Sequence, residues 1–356
     1  MRSVGLESSV APHLVVPRTR PTRKSESFTP PYPSFSARFP TDVVSVVMAW
    51  FGVQHRADAP AEVAAAAQAE VTALAGRLAR DDGAGSVDRA RYVDEAGHLT
   101  TVVIAYWTDP ERYARWASSG PGWTDPGHRR DGLGYFLELL TPSVDRFETL
   151  FSNDRLEGVA RLAGGLSGEI REHGYWGGAR DRIPLAQTDP LEPVGSPGGT
   201  DDGVVRVTGQ HNLALIRSGQ EWSETTGEER RMYVEDVEPV LRAGMDFLRD
   251  DGRSIGCYAS RYMTVLDTEN RPLDKTFGMS WWHSLEEMDT WAESHPTHVA
   301  IFRVAMRYLG TMGAAAKLRL YHEVTVAAAD QQRFEYLDCH PSTGLLRVTG
   351  VPASAG

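Results

Sequence analysis

Apolar runs along the chain alternate with charged, helix-forming stretches in two similar series. In the first series, Val43 to Val53 reads as an opening strand, Ala59 to Arg80 as an alanine-rich helix, and Thr100 to Trp107 and Gly134 to Leu140 as further strands. In the second, Val204 to Arg217 opens, Glu228 to Asp250 is helical, Gly256 to Leu266 and Thr276 to Trp282 are strands, and Lys317 to Val326 closes. Each series runs strand, helix, strand, helix, strand, with one extra strand in the second. The segments VVIAYWTDPERYARW (102–116) and FGMSWWHSLEEMDTW (277–291) bring Trp107, Glu111 and Trp116 over Trp282, Glu286 and Trp291 at a constant shift of 175. Asp109 and Ser284 are the expected N-caps of the helices that follow, and Pro110 suits a first helical position, where no donor is needed. Pro121 and Pro296 keep the same shift, while Gly134-Tyr135 resembles Leu320-Tyr321 and Phe147 to Leu150 resembles Phe334 to Leu337 at shifts of 186 and 187.

This order predicts an α+β fold built from two ferredoxin-like halves that arose by internal duplication. The expected boundaries are an extended arm over 1–27, a first half over 28–157, a Gly- and Pro-rich connection over 158–203 and a second half over 204–350. So long a connection inside a packed protein points to a functional segment. It carries the run Glu172-His173-Gly174-Tyr175-Trp176-Gly177-Gly178-Ala179-Arg180-Asp181-Arg182.

Composition narrows the function. With 37 Lys+Arg against 48 Asp+Glu the net charge is −11, which disfavours nucleic acid as a general partner. The apolar runs fall short of the ~20 residues of a membrane span. The N-terminal stretch has Arg18, Arg20, Arg23 and Lys24 followed by Pro30, Pro31 and Pro33, not the apolar centre of a signal peptide, so a cytoplasmic protein is expected. Cys257 and Cys339 are the only cysteines, too few for a disulfide framework or a cysteine zinc cluster. Tyr336 stands where the C-x-x-C-H attachment motif ending at Cys339-His340 would need its first cysteine, so any haem is held without thioether bonds. Dinucleotide and phosphate loops, H-E-x-x-H and G-x-S-x-G are all missing from the sequence.

Departures between the two series mark candidate chemistry. Trp123 falls opposite His298, and Phe136 opposite His322. Alternation places His322 with Leu318, Leu320 and Val324 on the face expected to be buried, as a satisfied core histidine or as a proton donor and acceptor in an apolar pocket. His298 opens an apolar helical pattern with Phe302 and Met306 one and two turns on, which fits either plain core or an axial haem ligand with its porphyrin lining. Ser218 suits a strand-end turn hydroxyl, Arg180 and Arg182 read equally as surface charges, and Glu148 as a surface carboxylate or a support for a catalytic group.

The run from Glu172 to Arg182 resembles the matching stretch of the haem-containing aldoxime dehydratases, the aliphatic aldoxime and phenylacetaldoxime dehydratases. So do Ala214 to Gln220, Trp291 to His298 and Leu318 to Val324, within a similarity spanning Phe28 to Arg347. The resemblance implies a lyase with non-covalent haem b, ferrous in the active state, held in the C-terminal half of a dimeric α+β barrel-like fold. Its reaction would be dehydration of an aldoxime to a nitrile, the substrate nitrogen binding the iron and a distal histidine acting as general acid and base. By position, His298 would be the proximal iron ligand with Phe302 and Met306 beside the haem. His322 would be the distal histidine, Arg182 and Ser218 distal-pocket residues, Glu148 the support of His322, and the 158–203 connection part of the distal pocket. The segment Gly310 to Ala316 looks longer than the family pattern. Two other readings stand beside this one: a dye-decolourising-type peroxidase, although Gly127 to Gly132 has one residue too many for its G-x-x-D-G motif, and a haem sensor or carrier.

Overall fold

The computed structural model describes residues 5–25 and 27–350; residues 1–4 and Glu26 of the expected arm, and residues 351–356, lie outside the described residues. Twelve strands form one curled antiparallel sheet. They are β1 Val47–Arg56, β2 Ser86–Val93, β3 His98–Trp107, β4 Gly134–Leu140, β5 Phe147–Phe151, β6 Gly198–Asp201, β7 Val205–Thr208, β8 Leu213–Glu221, β9 Cys257–Leu266, β10 Pro272–Trp282, β11 Arg319–Ala327 and β12 Gln332–Leu337. Their order across the sheet is β5-β11-β8-β10-β9-β2-β3-β1-β4-β12-β7-β6. A mixed α/β architecture follows, with helices α1 (Ala61–Leu78) and α2 (Pro110–Ser118) on one part of the sheet. Helix α3 (Gly178–Arg182) belongs to the connection, and α4 (Gly227–Arg231), α5 (Glu238–Asp250), α6 (Leu285–Ser294) and α7 (Pro296–Met312) to the later part. None of the helices is long and apolar enough to cross a membrane.

Several local expectations hold. Asp109 accepts the Glu111 amide and Ser284 the Glu287 amide, so both predicted N-caps form. The expected 228–250 helix is continuous apart from a π-turn at Met232–Val237 between α4 and α5. Two expectations change. The first series also has its extra strand, β2, whose sequence SVDRARYV is too charged to announce itself. The predicted strand 204–217 is broken in two, because Asn212 adopts a left-handed backbone (φ 59°) just before β8.

One core fills the inside of the curl, where Met48, Trp50, Ile104 and Tyr106 meet Met263, Phe277, Met279 and Trp281. Trp50 and Trp281 touch edge to face with ring centres 5.8 Å apart. Outside, α1 and α2 cover a second core containing Trp107 and Trp116, while α6 covers a third containing Trp282 and Trp291. The two Trp pairs pack alike, at 5.4 Å and 47° against 5.6 Å and 41°.

On the inner face Gly52 lies opposite Phe136, and Gly219 opposite Tyr321. A Cβ on either glycine would come within 2.1 Å of the facing ring. Phe136 therefore corresponds to Tyr321, not to His322. Slipping one residue moves a side chain to the other face, so His322 points outward while Phe136 points into the curl. Overpacking predicts that Gly52→Ala destabilises by about 1–3 kcal/mol, read as a lower urea midpoint with unchanged slope.

Candidate functional site

His298 is the third residue of α7, whose entry is fixed by Pro296 and by His295 accepting the Thr297 amide. Its Nδ1 lies 2.7 Å from the Ala292 carbonyl oxygen. A carbonyl can only accept, so Nδ1 carries the hydrogen and the Nε2 lone pair is left outward. Burial holds the ring's pKa below the ordinary 6.5, the carbonyl contact acting the other way. Trp291 packs at 4.6 Å and Trp176 at 5.6 Å from the imidazole centre.

Along the same helix, Phe302 is 38% exposed and leans on Trp176 at 4.9 Å, and Met306 is half-buried. Of the 17 residues of α7, apolar for most of its length, only Tyr308 is fully buried. An imidazole with one nitrogen tied to a carbonyl and the other free, on a helix with uncovered apolar side chains, fits an axial ligand and the edge of a porphyrin.

The sheet's outer face supplies the second group. Strand register puts Leu150, His322, Ser218, Gly278 and Tyr262 in one row across β5, β11, β8, β10 and β9. As the sequence predicts, His322 shares its face with buried Leu318 and Val324, but its own side chain is 24% exposed, whereas Tyr321, Glu323 and Thr325 on the other face of β11 are buried. The inner face accepts these polar residues because Arg217, fully buried, bonds Tyr106 and Asp88, and Tyr106 donates to Glu323 at 2.6 Å.

Helix α3 brings Arg182 beside His322. Its preceding residue, Gly177, has φ 82°, a backbone that favours glycine. Arg182 is buried, with Nε donating to Glu148 Oε2 at 2.6 Å, Nη2 to Glu148 Oε1 at 3.0 Å and Nη1 to the Glu172 carbonyl at 2.7 Å. Nη2 also lies 2.8 Å from His322 Nε2, which is 3.1 Å from Glu148 Oε1. Burial would raise the Glu148 carboxyl, but the charges of Arg182 and His322 outweigh it and hold the pKa below 4.5.

The structure thus brings Arg182, Glu148 and His322 together, sets Ser218 next to them, and places Phe302 beside His298. Arg180 does not join them; its Nη1 donates to the Pro190 carbonyl. Sequence reasoning missed the parts played by Trp176 and the Glu172 carbonyl, although both lie in the quoted run. One apolar cluster runs from Ile183, just after Arg182, through Ala214 and Val324 to Trp291, which touches His298, and so ties both groups to one scaffold. The near-match Gly127 to Gly132 is an exposed turn with Asp131 in solvent, which removes the distal aspartate of the peroxidase reading.

Removing Arg182 tests the buried pair. With a folded pKa below 4.5, Glu148 contributes stability that is present above pH 4.5 and lost as pH falls through the folded value. In Arg182→Met, burial dominates and the sign reverses, so stability is lost as pH rises. The variant is expected to lose about 3–5 kcal/mol near neutral pH. Its urea midpoint should recover on mild acidification, whereas the wild-type midpoint should not; parallel pH profiles would contradict the pairing.

A profile of the haem-containing dehydratase family matches residues 49–345. The aliphatic aldoxime dehydratase of Pseudomonas chlororaphis is 40% identical over 353 residues, covering 96% of this chain and 98% of that protein. The phenylacetaldoxime dehydratase of Bacillus sp. (strain OxB-1) is 30% identical over 338 residues, covering 90% and 93%. A crystal structure of an aldoxime dehydratase in complex with butyraldoxime superposes with a TM-score of 0.91 at 38% identity, covering 96% of each chain. This chain belongs to the haem-containing dehydratase family. It is therefore a lyase whose cofactor is haem.

Proposed function

We propose that the protein converts aldoximes, R–CH=N–OH, to nitriles and water, with His298 as the proximal haem ligand, Phe302 and Met306 beside the porphyrin, and His322 as the proton carrier. The observation that carries this reading is the contact of His322 Nε2 with both Glu148 (3.1 Å) and Arg182 (2.8 Å), which leaves Nδ1 as the exchanging atom. When bound, ferrous haem supplies an electron-rich iron for the oxime nitrogen. Nδ1–H donates to the departing hydroxyl oxygen; the Nδ1 lone pair then takes the proton from the oxime carbon, so the proton count balances. Glu148 Oε1 and Arg182 Nη2 both hold the Nε2 side of the ring, which orients Nδ1 for the exchange.

Ser218, directly across from His322, is assigned a hydrogen bond to the oxime oxygen. Ser218→Ala is expected to lower kcat/KM by about tenfold or more, in line with the ~1.5–3 kcal/mol of a hydrogen bond to a charged group. The reaction is tested by giving dithionite-reduced holoenzyme, without air, butyraldoxime and phenylacetaldoxime and measuring nitrile. Nitrile from either supports the proposal, and none from either overturns it.

The same reading takes the chain as two ferredoxin-like halves, 28–157 and 204–350, derived by duplication and joined by the 158–203 connection. Supporting it, β1, α1, β2, β3, α2, β4 and β8, α5, β9, β10, α6, β11 follow the same order, and both sets of strands lie second-third-first-fourth in the sheet. The matching Trp pairs and Gly–aromatic contacts add to this. A homodimer in the cytoplasm rests on the family resemblance, and sedimentation of the holoenzyme tests the dimer.

A further inference from the structure

We propose that Asp94, His98 and His340 form a site for a divalent transition-metal ion of the zinc class, separate from the haem site. Asp94 lies in the turn between β2 and β3, His98 begins β3, and His340 follows β12. Among the described residues they are the one group of three His, Cys, Asp or Glu whose ligand atoms all lie within 4.8 Å of one another.

The donors are prepared for this task. Asp94 Oδ1 accepts the amides of Ala96 at 3.0 Å and His98 at 2.8 Å, which fixes the carboxylate over the turn. His98 Nδ1 is shielded from water and has no hydrogen-bond partner, lying 3.6 Å from that same oxygen. A buried nitrogen without a partner is costly in a folded protein, and a cation between it and the carboxylate would satisfy both. His340 Nδ1 lies 2.8 Å from Ser342 Oγ and accepts the Ser342 amide at 3.2 Å, contacts that fix the ring's orientation. Its backbone is pinned by the His340 amide donating to Gln54 Oε1 at 2.8 Å. The two imidazole centres are 4.7 Å apart.

Two imidazoles and one carboxylate suit Zn²⁺, with Co²⁺ and Ni²⁺ as relatives, whereas Mg²⁺ and Ca²⁺ prefer oxygen donors throughout. A water would complete a tetrahedral shell. Asp94 and Ser342 also line a cavity of about 300 Å³, through which an ion can enter. Bound metal would clamp the loop after β12 to the β2–β3 turn, far away in sequence, and so stabilise the fold without touching the reaction.

The test uses tag-free holoenzyme dialysed against EDTA, then titrated calorimetrically with ZnCl2 and assayed for zinc by mass spectrometry after desalting. Wild type is expected to keep one zinc per chain and to melt at a higher temperature with zinc. His98→Ala and His340→Ala should keep none and show no zinc-dependent rise, with haem content and nitrile formation unchanged. Asp94→Asn, which preserves shape, gives a milder variant should an alanine variant fold poorly. A wild type that retains no zinc, or variants that retain as much as wild type, would overturn the proposal.

Discussion

His298→Ala is expected to give a folded protein that no longer holds haem. The imidazole is the outward nitrogen donor on α7, presented by the Ala292 carbonyl and clasped between Trp291 and Trp176. Truncation leaves the ridge of Phe302 and Met306 but removes the nitrogen proposed to hold the iron. Aromatic and apolar contacts alone allow weak, exchangeable binding. The visible spectrum of desalted protein should therefore lose its Soret band, and nitrile formation should fall to background. The core inside the curl contains none of these side chains, so circular dichroism and the urea midpoint should change little. A variant with a full Soret band would move the ligand elsewhere.

His322→Ala is expected to have the opposite signature. Its hydrogen-bond and ion-pair partners are Arg182 and Glu148, not the Trp176 and Trp291 rings packed on His298, so haem should remain bound with an ordinary Soret intensity. The reaction would lose the group proposed to give a proton to oxygen and take one from carbon, an expected deficit of about 10²- to 10⁴-fold in kcat. Because His322 would act on the oxime oxygen and carbon and would not hold the nitrogen, KM should change much less than kcat. Arg182 and Glu148 still pair in this variant, so stability should be nearly unaffected, in contrast to Arg182→Met.

Much of this site could be read from the chain. The Trp repeat, the two N-caps and the apolar run after His298 are local signals that survive folding because each acts within one helix or strand. The run from Glu172 to Arg182 marked the connection that delivers Arg182 and Trp176. What escaped was long-range. The partial exposure of His322 on an otherwise packed face was not legible, nor was the charged network on the inner face, Arg217 with Asp88, Tyr106 and Glu323, that only tertiary pairing makes tolerable. Strand β2 was missed for a related reason: its Asp88 and Arg89 look solvent-bound, yet Asp88 is buried against Arg217. The equivalence of Phe136 with Tyr321 needed the glycines on the neighbouring strands, Gly52 and Gly219, which alignment by similarity alone does not weigh.

The central claim is that two histidines do separable work, His298 holding haem and His322 moving a proton. It is tested most directly by measuring haem content and anaerobic nitrile formation side by side in wild type, His298→Ala and His322→Ala. The account predicts haem and turnover in wild type, neither in His298→Ala, and full haem with turnover reduced by about 10²-fold or more in His322→Ala. Wild-type turnover in haem-loaded His322→Ala, or loss of haem from it, would contradict the claim.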